Sequence, residues 1–585
     1  MLDFMANVLE IKNLKNKVSR NGFDLSERRA FTAKVGELVP CFVMEILPGD
    51  HVSLNPSHFT RTMPVNTAAY TQLREYVHFY FVPYRLLHSG ADVFFSDNKE
   101  NPTRASSINS PKASQPIVPY LTAKSILDRL MTYQTKSAVD AVGYEAFRTS
   151  IKLLEYLGYG DYTRFSDHEL SVGLSSTENI RLNPFALLAY QKIYQDHFRN
   201  QSWEKSSPHT CNIDYLPFGA QVPLGDAKVE LNSVVSDMLT MRYCDYNKDY
   251  FFGLVPEAQY GDYVLVDPVV KPGALVDEVG EVLQVGQPIH VVDLSRGIQK
   301  MFPGASVLAL RKAEALQKYR EIRNSGDKDY KTFLEKIFNV SVSNDRSDLS
   351  LFLGGYNSDI AINEVVNSDL SNSPATVAGK GVSSSGASNI EFDAKENGVI
   401  IGIYTCRPTI DYAINAPLKT NLRIQYEDYA NPVFDRVGME TVHLDEIMMP
   451  FISTSYYSAS RDVCRAPVGY VPRYSSYKTN YDKVLGAFRR TLSAWVSPVT
   501  SEAIYRDMVG TTGPTDTLKS EWSKNPIESG RRVALSYRSF KVRPNVVDSI
   551  FVQQADGSIE SDQLLINMSV ACPMVRNLDY DGLPY

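Results

Sequence analysis

Two segments of this chain come close to spelling a ligand site. Around Gly379-Lys380 the residues approach a phosphate loop, in which backbone N–H groups cradle phosphate, a Lys reaches it and a hydroxyl holds magnesium. Pro374 stands where the first Gly is required, and Gly381 where that hydroxyl belongs. The run Asp245-Tyr246-Asn247-Lys248-Asp249 begins like a calcium loop, whose alternating oxygens converge on one ion. There Tyr250 replaces the Gly that permits the sharp turn, and Pro256 occupies the place of the bidentate Glu. Neither segment therefore predicts its ligand.

Nucleophile and metal chemistry fare no better. The chain has no GxSxG elbow, and Ser383-Ser384-Ser385 reads as loop composition. The nine histidines form no HExxH, and His51 and His58 lie seven apart in a turn-rich segment. The six cysteines (Cys41, Cys211, Cys244, Cys406, Cys464 and Cys572) make no CxxC pair and read as small buried hydrophobes in a reducing compartment. Acidic residues are many, but none forms a pair that sequence alone can place in one cleft. The expectation is a protein that is not an enzyme, with no catalytic residue, no bound metal and no cofactor.

Charge narrows the partners. With 60 Lys+Arg against 67 Asp+Glu the net charge is -7, whereas a surface that grips nucleic acid everywhere should be strongly basic. Any nucleic-acid contact is then local or supplied by a partner. The local candidate is residues 1–35, read as a basic N-terminal arm carrying Lys12, Lys15, Lys17 and Arg20, then Arg28 and Arg29. Such an arm is either simply solvated or faces nucleic acid. The opening MLDFMANVLEIKNLKNK does not read as a signal peptide, because Asp3 precedes any apolar run. The most apolar segment, Gly398 to Cys406, is about half the length needed to span a bilayer. A soluble chain made without export, with no membrane insertion, is expected.

The elements that would position such residues are mainly strands. LVPCFVMEIL precedes the turn Pro48-Gly49-Asp50, and REYVHFYFVPYRLL is apolar or aromatic on both faces, as suits the middle of a thick sandwich. Further strands are expected at 398–406, 441–449, 532–541 and 563–572, and polar loops at 96–119 and 367–390. Helices are expected at 122–132, 140–157 and 183–200. Another amphipathic helix carries Ala309, Ala313, Leu316, Tyr319 and Ile322 before the stop Asn324-Ser325-Gly326, and a second follows with Phe333, Leu334, Ile337 and Phe338. Strands lie at both ends and helices in long connections between them. One β domain over 36–585 is the simpler account, with insertions at about 86–182, 183–300 and 301–395.

Several of these segments resemble, in order, the major capsid protein of the microviruses, the small tailless single-stranded DNA bacteriophages. NTAAYTQLREYVHFYFVPYRL is similar to the family's strand ending F-x-P-x-R-L, carried by Phe81, Pro83, Arg85 and Leu86. NPFALLAYQKIYQDHFRNQSW resembles its helix, with Tyr190, Phe198 and Arg199 in place. DYFFGLVPEAQYG looks like a further family segment through Asp249, Tyr250, Phe251, Pro256, Gln259 and Gly261, although Phe252 replaces the usual Thr. Arg311, Gln317 and Gly354-Gly355 extend the match, as do ENGVIIGIYTCRP with Gly398, Arg407 and Pro408, and the Cys572-Pro573-Met574 ending. The loops at 86–182 and 262–300 match poorly, so surface features that relatives carry there do not transfer.

The resemblance implies a mainly β fold, an eight-stranded jelly roll (the viral β-sandwich) with long helical and loop insertions. It implies a structural subunit that self-assembles, sixty copies to a T = 1 icosahedral shell, around circular single-stranded DNA. The implied partners are a scaffolding protein, a spike or pilot protein, a small basic packaging peptide and a bacterial surface receptor met by the outer loops. The implied location is the virion, assembled in the bacterial host cytoplasm. The alternative is a jelly-roll carbohydrate-binding or glycan-active protein, which would need a carboxylate pair in an aromatic cleft.

Overall fold

A computed structural model of the chain describes residues 19–65, 70–88, 90–96, 120–127, 141–162, 180–204, 238–256, 307–324, 330–340, 347–363, 380–387, 389–435, 438–447, 467–501 and 562–580, with short pieces near 210 and 540–551. The chain divides into two units. The larger comprises residues 1–256, 349–436 and 440–585 and contains both sheets described below.

Five strands come first: β1 (Asn21–Asp24), β2 (Glu27–Ala33), β3 (Val39–Ile46), β4 (His51–Thr62) and β5 (Leu73–Pro83). Helices α1 (Ala141–Tyr156) and α2 (Phe185–Ile193) follow. After the second unit's helices, α3 (Val307–Asn324) and α4 (Tyr330–Phe338), come β6 (Leu351–Asn363), β7 (Lys380–Gly386), β8 (Ile390–Asp393) and β9 (Gly398–Pro408). The last two are β10 (Leu564–Ala571) and β11 (Pro573–Arg576).

All pairings among these strands are antiparallel. One sheet runs β2-β10-β4-β7, extended at one end of β4 by β11, β1 and β8. The other runs β3-β9-β5-β6. Successive strands β2, β3, β4 and β5 alternate between the sheets, β6 stays beside β5, and β7, β9 and β10 alternate again. β6 and β7 also pair with each other over Ala361–Asn363, so the two sheets join along that edge, and the order of their eight main strands is that of a jelly roll. Strands β6 and β7 fall inside the third of the expected insertions, yet they complete the two sheets. Within the segment read as an arm, β1 and β2 are likewise sheet strands.

The sequence pattern explains the layering. In β5, Glu75, Val77, Phe79 and Phe81 face the other sheet and are buried. Their alternates also find cover: His78 stacks on Phe198, and Tyr80 lies 4.6 Å from His197, both in the wide π turn Tyr194–Phe198 that closes α2. A third layer thus backs the second sheet, as the two-sided aromatic pattern requires. The first sheet has an open outer face, and β4 and β10 alternate buried with exposed residues along their length. Close backbone approach fixes two glycines: a Cβ on Gly355 would stand 2.5 Å from the Val77 carbonyl, and one on Gly398 2.5 Å from that of Val82.

Three expectations are corrected. His51–Thr62, taken as turn-rich, is a twelve-residue strand. Part of the loop expected at 367–390 is β7, because Ser383 points inward and its hydroxyl donates to Ser358 at 3.0 Å. Polar residues with partners inside a sandwich look like loop by composition. The strand expected at 441–449 runs instead over Met439–His443 and ends in the 3-10 turn Leu444–Glu446. Helix α1 spans the expected 140–157 and α2 with its π turn the expected 183–200, whereas most of 532–541 lies outside the described residues.

In the second unit α3 ends at Asn324, where the stop was expected. Leu316 and Tyr319 of its stripe are exposed, while the Phe333 and Phe338 rings of α4 meet edge to face.

Candidate functional site

The titratable groups that the fold brings together are consumed by packing. Where α1 crosses the sandwich, Arg148 and Lys152 lie one helical turn apart and reach two carboxylates distant in sequence. Arg148 donates to Glu37 at 2.5 Å and Asp562 at 3.1 Å, and Lys152 to each at 2.6 Å. All four side chains are buried. Burial works to raise the Glu37 carboxyl, but Lys152 and Arg148 beside it hold the pKa down at about 2. The same burial disfavours the Lys152 ammonium, and the two carboxylates more than restore it, so its pKa is raised. Two cations and two anions make a neutral set in which each carboxylate meets both cations, so that removing one member would leave a buried charge unpaired.

A second polar cluster lies between the sheets. His58 Nε2 lies in hydrogen-bond range of Glu75 at 3.1 Å, and its Nδ1 of the Tyr356 hydroxyl at 2.9 Å. Glu75 also accepts from Tyr404 at 2.5 Å and Ser358 at 3.1 Å. Burial pushes its pKa up, but His58 first, by hydrogen bond and charge, and then Thr60 and Tyr404 outweigh that and leave it lowered. Tyr404 is itself pushed well above the ordinary range by burial and by Glu75, so it stays a donor.

The calcium-like segment is a capped turn. Asp249 Oδ1 accepts the N–H groups of Phe251 and Phe252 at 2.9 and 2.8 Å, and Oδ2 accepts the Tyr412 hydroxyl at 2.6 Å. Tyr250 donates to Glu446 at 2.7 Å, and the Phe251 ring packs against Tyr412 and Tyr481. His443, Asp445 and Glu446 present oxygens and a nitrogen close together, but the Lys419 ammonium already stands 3.2 Å from Glu446. Cys41, Cys211, Cys244, Cys406 and Cys572 are buried thiols without disulfides, and burial pushes Cys41 up to about 12. A thiol so placed is no nucleophile.

The residues named by the resemblance serve the same packing. Phe81 lies against Phe392, Pro83 ends β5, and Arg85 donates to Glu396 at 2.7 Å. The Tyr190 hydroxyl donates to the Leu38 carbonyl, and Arg199 donates to the carbonyl of Glu204. The Arg407 guanidinium lies 5.0 Å over Tyr76, and Pro408 pairs with Leu73 at the strand end. Gly354 stands opposite Phe79, and Pro256 is the last residue of its section of the larger unit. Arg311 is exposed, and Gln317 donates to Glu321 within α3. Gln259 and Gly261 lie outside the described residues.

Of the residues expected to face nucleic acid, Lys12, Lys15 and Lys17 lie outside the described residues. Arg20 donates to the Gly49 carbonyl at 3.0 Å, and Arg29 pairs with Glu27 at 2.7 Å. Arg28 stands on the open face of the first sheet beside Asn567. That face also carries Phe59, Val382, Leu565 and Arg61, whose guanidinium lies 5.2 Å over the Phe59 ring. Sequence reasoning missed Phe59 and Arg61, although the alternation through HVSLNPSHFTRT puts both on one face.

A jelly roll whose interior is filled and paired, with an open outer sheet face, defines a structural scaffold of the kind found in viral shells, lectins and cupins. The chain belongs to the capsid protein (F protein) family, whose profile matches residues 12–157 and 157–498. It is 25% identical over 540 residues to capsid protein VP1 of Chlamydia phage 1, covering 82% of this chain and 86% of that one. It is 22% identical over 520 residues to capsid protein VP1 of Bdellovibrio phage phiMH2K, covering 82% and 84%. Both are microvirus proteins. Membership gives the chain a structural role in the virion, by self-assembly into a shell. Among the described residues no helix is long and apolar enough to cross a membrane.

Proposed function

We propose that this chain is the repeating subunit of a T = 1 shell of sixty copies that encloses circular single-stranded DNA. The match to the capsid family across residues 12–498 carries this reading. The open face of the first sheet supports the DNA contact: Arg28 and Arg61 offer positive charge and Phe59 a ring for a base to stack on. Lys12, Lys15, Lys17 and Arg20 add positive charge in the sequence ahead of β1, and Arg29 is partly neutralised by Glu27. Assembly takes place in the bacterial host cytoplasm with a scaffolding protein. A spike or pilot protein, a small basic packaging peptide and a bacterial receptor met by outer loops complete the set of partners.

Expression of the full chain with its scaffolding protein, followed by sedimentation and electron microscopy, tests the reading. Uniform closed particles are expected, whereas a chain that stays monomeric at micromolar concentration would overturn it. R28A/F59A/R61A should give particles with reduced nuclease-protected DNA. Unchanged DNA content at normal yield would remove this face from the genome contact.

A further inference from the structure

Residues 414–435 form a segment with a specified conformation and no buried residue. The Asp428 carboxylate accepts the N–H groups of Ile424 and Gln425, each at 2.9 Å, and the Asn431 side chain accepts that of Val433 at 3.0 Å. The segment is thus held by its own caps. Its apolar side chains point into solvent: Ile424 is 83% exposed, Val433 80% and Tyr426 78%.

A second segment, 473–492, stands beside it. The Arg423 guanidinium lies 3.9 Å over the Tyr477 ring and donates to Ser476 at 2.8 Å, and Lys478 pairs with Asp435 at 2.5 Å. This segment adds exposed Tyr477 beside Arg423, and its Leu485 is exposed too. Between the two lies a pocket of about 160 Å³ whose walls include Leu418, Lys419, Ser476, Thr479, Tyr481 and Lys483. Exposed apolar and aromatic side chains on two segments tied together beside a pocket are the form of a protein contact, and aromatic and Arg residues are what such contacts favour.

We propose that a second copy of this chain docks on this face, using a different and more acidic part of its surface. The proposal rests on the shell reading above and assigns one of its contacts. Charge selects the occupant: the two segments hold seven Lys+Arg against four Asp+Glu, on a chain of net charge -7. The remainder is therefore more acidic than the whole, so the face repels its own like and attracts other surfaces of a neighbour. Such a head-to-tail contact, repeated by rotation, closes rings. Single-stranded DNA is the competing occupant, because Tyr426, Tyr429, Phe434 and Tyr477 are exposed as well, and the DNA content of the variant particles separates the two.

The test uses the full chain assembled with its scaffolding protein. I424S/V433S should leave the circular dichroism spectrum and thermal midpoint of the unassembled chain unchanged and lower the yield of closed particles at least tenfold. K483E, which reverses the charge at the pocket and removes the ammonium 4.6 Å over the Tyr481 ring, should lower the yield in the same direction and lessen the salt sensitivity of assembly. Wild-type particle yields from both variants would overturn the contact. So would normal yields of particles that lack DNA, since the face would then serve the genome. If the wild-type chain forms no particles at all, the shell reading fails first and the contact falls with it. Closure by the wild type and both variants removes the contact alone.

Discussion

Two regions of this molecule hold side chains against the simplest rule of solvent preference. The sandwich interior buries Glu37, Arg148, Lys152, Asp562, His58 and Glu75, which belong in water, while the 414–435 segment leaves Ile424, Tyr426 and Val433 in water, where apolar groups do not belong. The interior charges meet opposite charges or hydrogen bonds supplied by distant parts of the same chain. The exposed apolar groups have nothing buried around them in their own segment. The first region is complete as a monomer. The second has the form of a surface completed by assembly, and burial by a neighbour would contribute roughly 25 cal/mol per Å² of apolar area.

The contrast breaks most readily at the charge quartet. Glu37→Gln leaves Arg148 and Lys152 facing a single carboxylate, and removing one member of a buried ion set costs about 3–5 kcal/mol. Urea unfolding of the unassembled chain should show that loss, and a cost below about 1 kcal/mol would mean that the quartet is solvated. Acid should reveal the same group. The folded-state pKa of Glu37 is lowered from 4.5 to about 2, so its contribution is fully present above about pH 4.5 and is lost as the pH falls towards 2. Glu75, also lowered, acts with the same sign. In the Glu37→Gln chain the acid-induced drop in stability should be shallower.

The cluster between the sheets sits next in size. Tyr404→Phe removes one of the donors to Glu75 and leaves that oxygen buried without it. A buried acceptor that loses a partner costs about 1–3 kcal/mol, to be read from the shift in denaturation midpoint. A neutral outcome would show that water replaces the hydroxyl, and the interior would then be less closed than its burial indicates.

Much of the sandwich was legible because its strands announce themselves locally. REYVHFYFVPYRLL is aromatic on both faces, and GVIIGIYTC is apolar throughout, so β5 and β9 stand at the centre of a covered sheet. The strands β4 and β7 were not legible, since His58, Thr60, Thr62 and Ser383 face inward and look like surface residues until their partners are known. The quartet was beyond reach for a related reason: Lys152 and Asp562 lie 410 residues apart. Asp249 was noticed for the wrong chemistry, its oxygens being aimed at backbone N–H groups and Tyr412. The exposed face needed burial to be seen at all, because nothing in LRIQYEDYANPVF marks its apolar residues as lying outside the core.

The smallest expected effect is the one that most sharpens the comparison. Ile424 and Val433 are 83% and 80% exposed, so replacing them by Ser removes almost no packing within the chain. Each substitution should change the stability of the unassembled chain by no more than about 0.5 kcal/mol, the usual range for surface positions. Denaturant titration of I424S/V433S beside the wild type measures this directly. A loss above about 2 kcal/mol would mean that the segment already has an intramolecular partner, and the distinction between a finished interior and an unfinished face would collapse. An unchanged midpoint together with a lost assembly would place the whole cost of the substitution between subunits. That separation is what distinguishes exposed apolar residues that merely happen to be exposed from those kept for a neighbour.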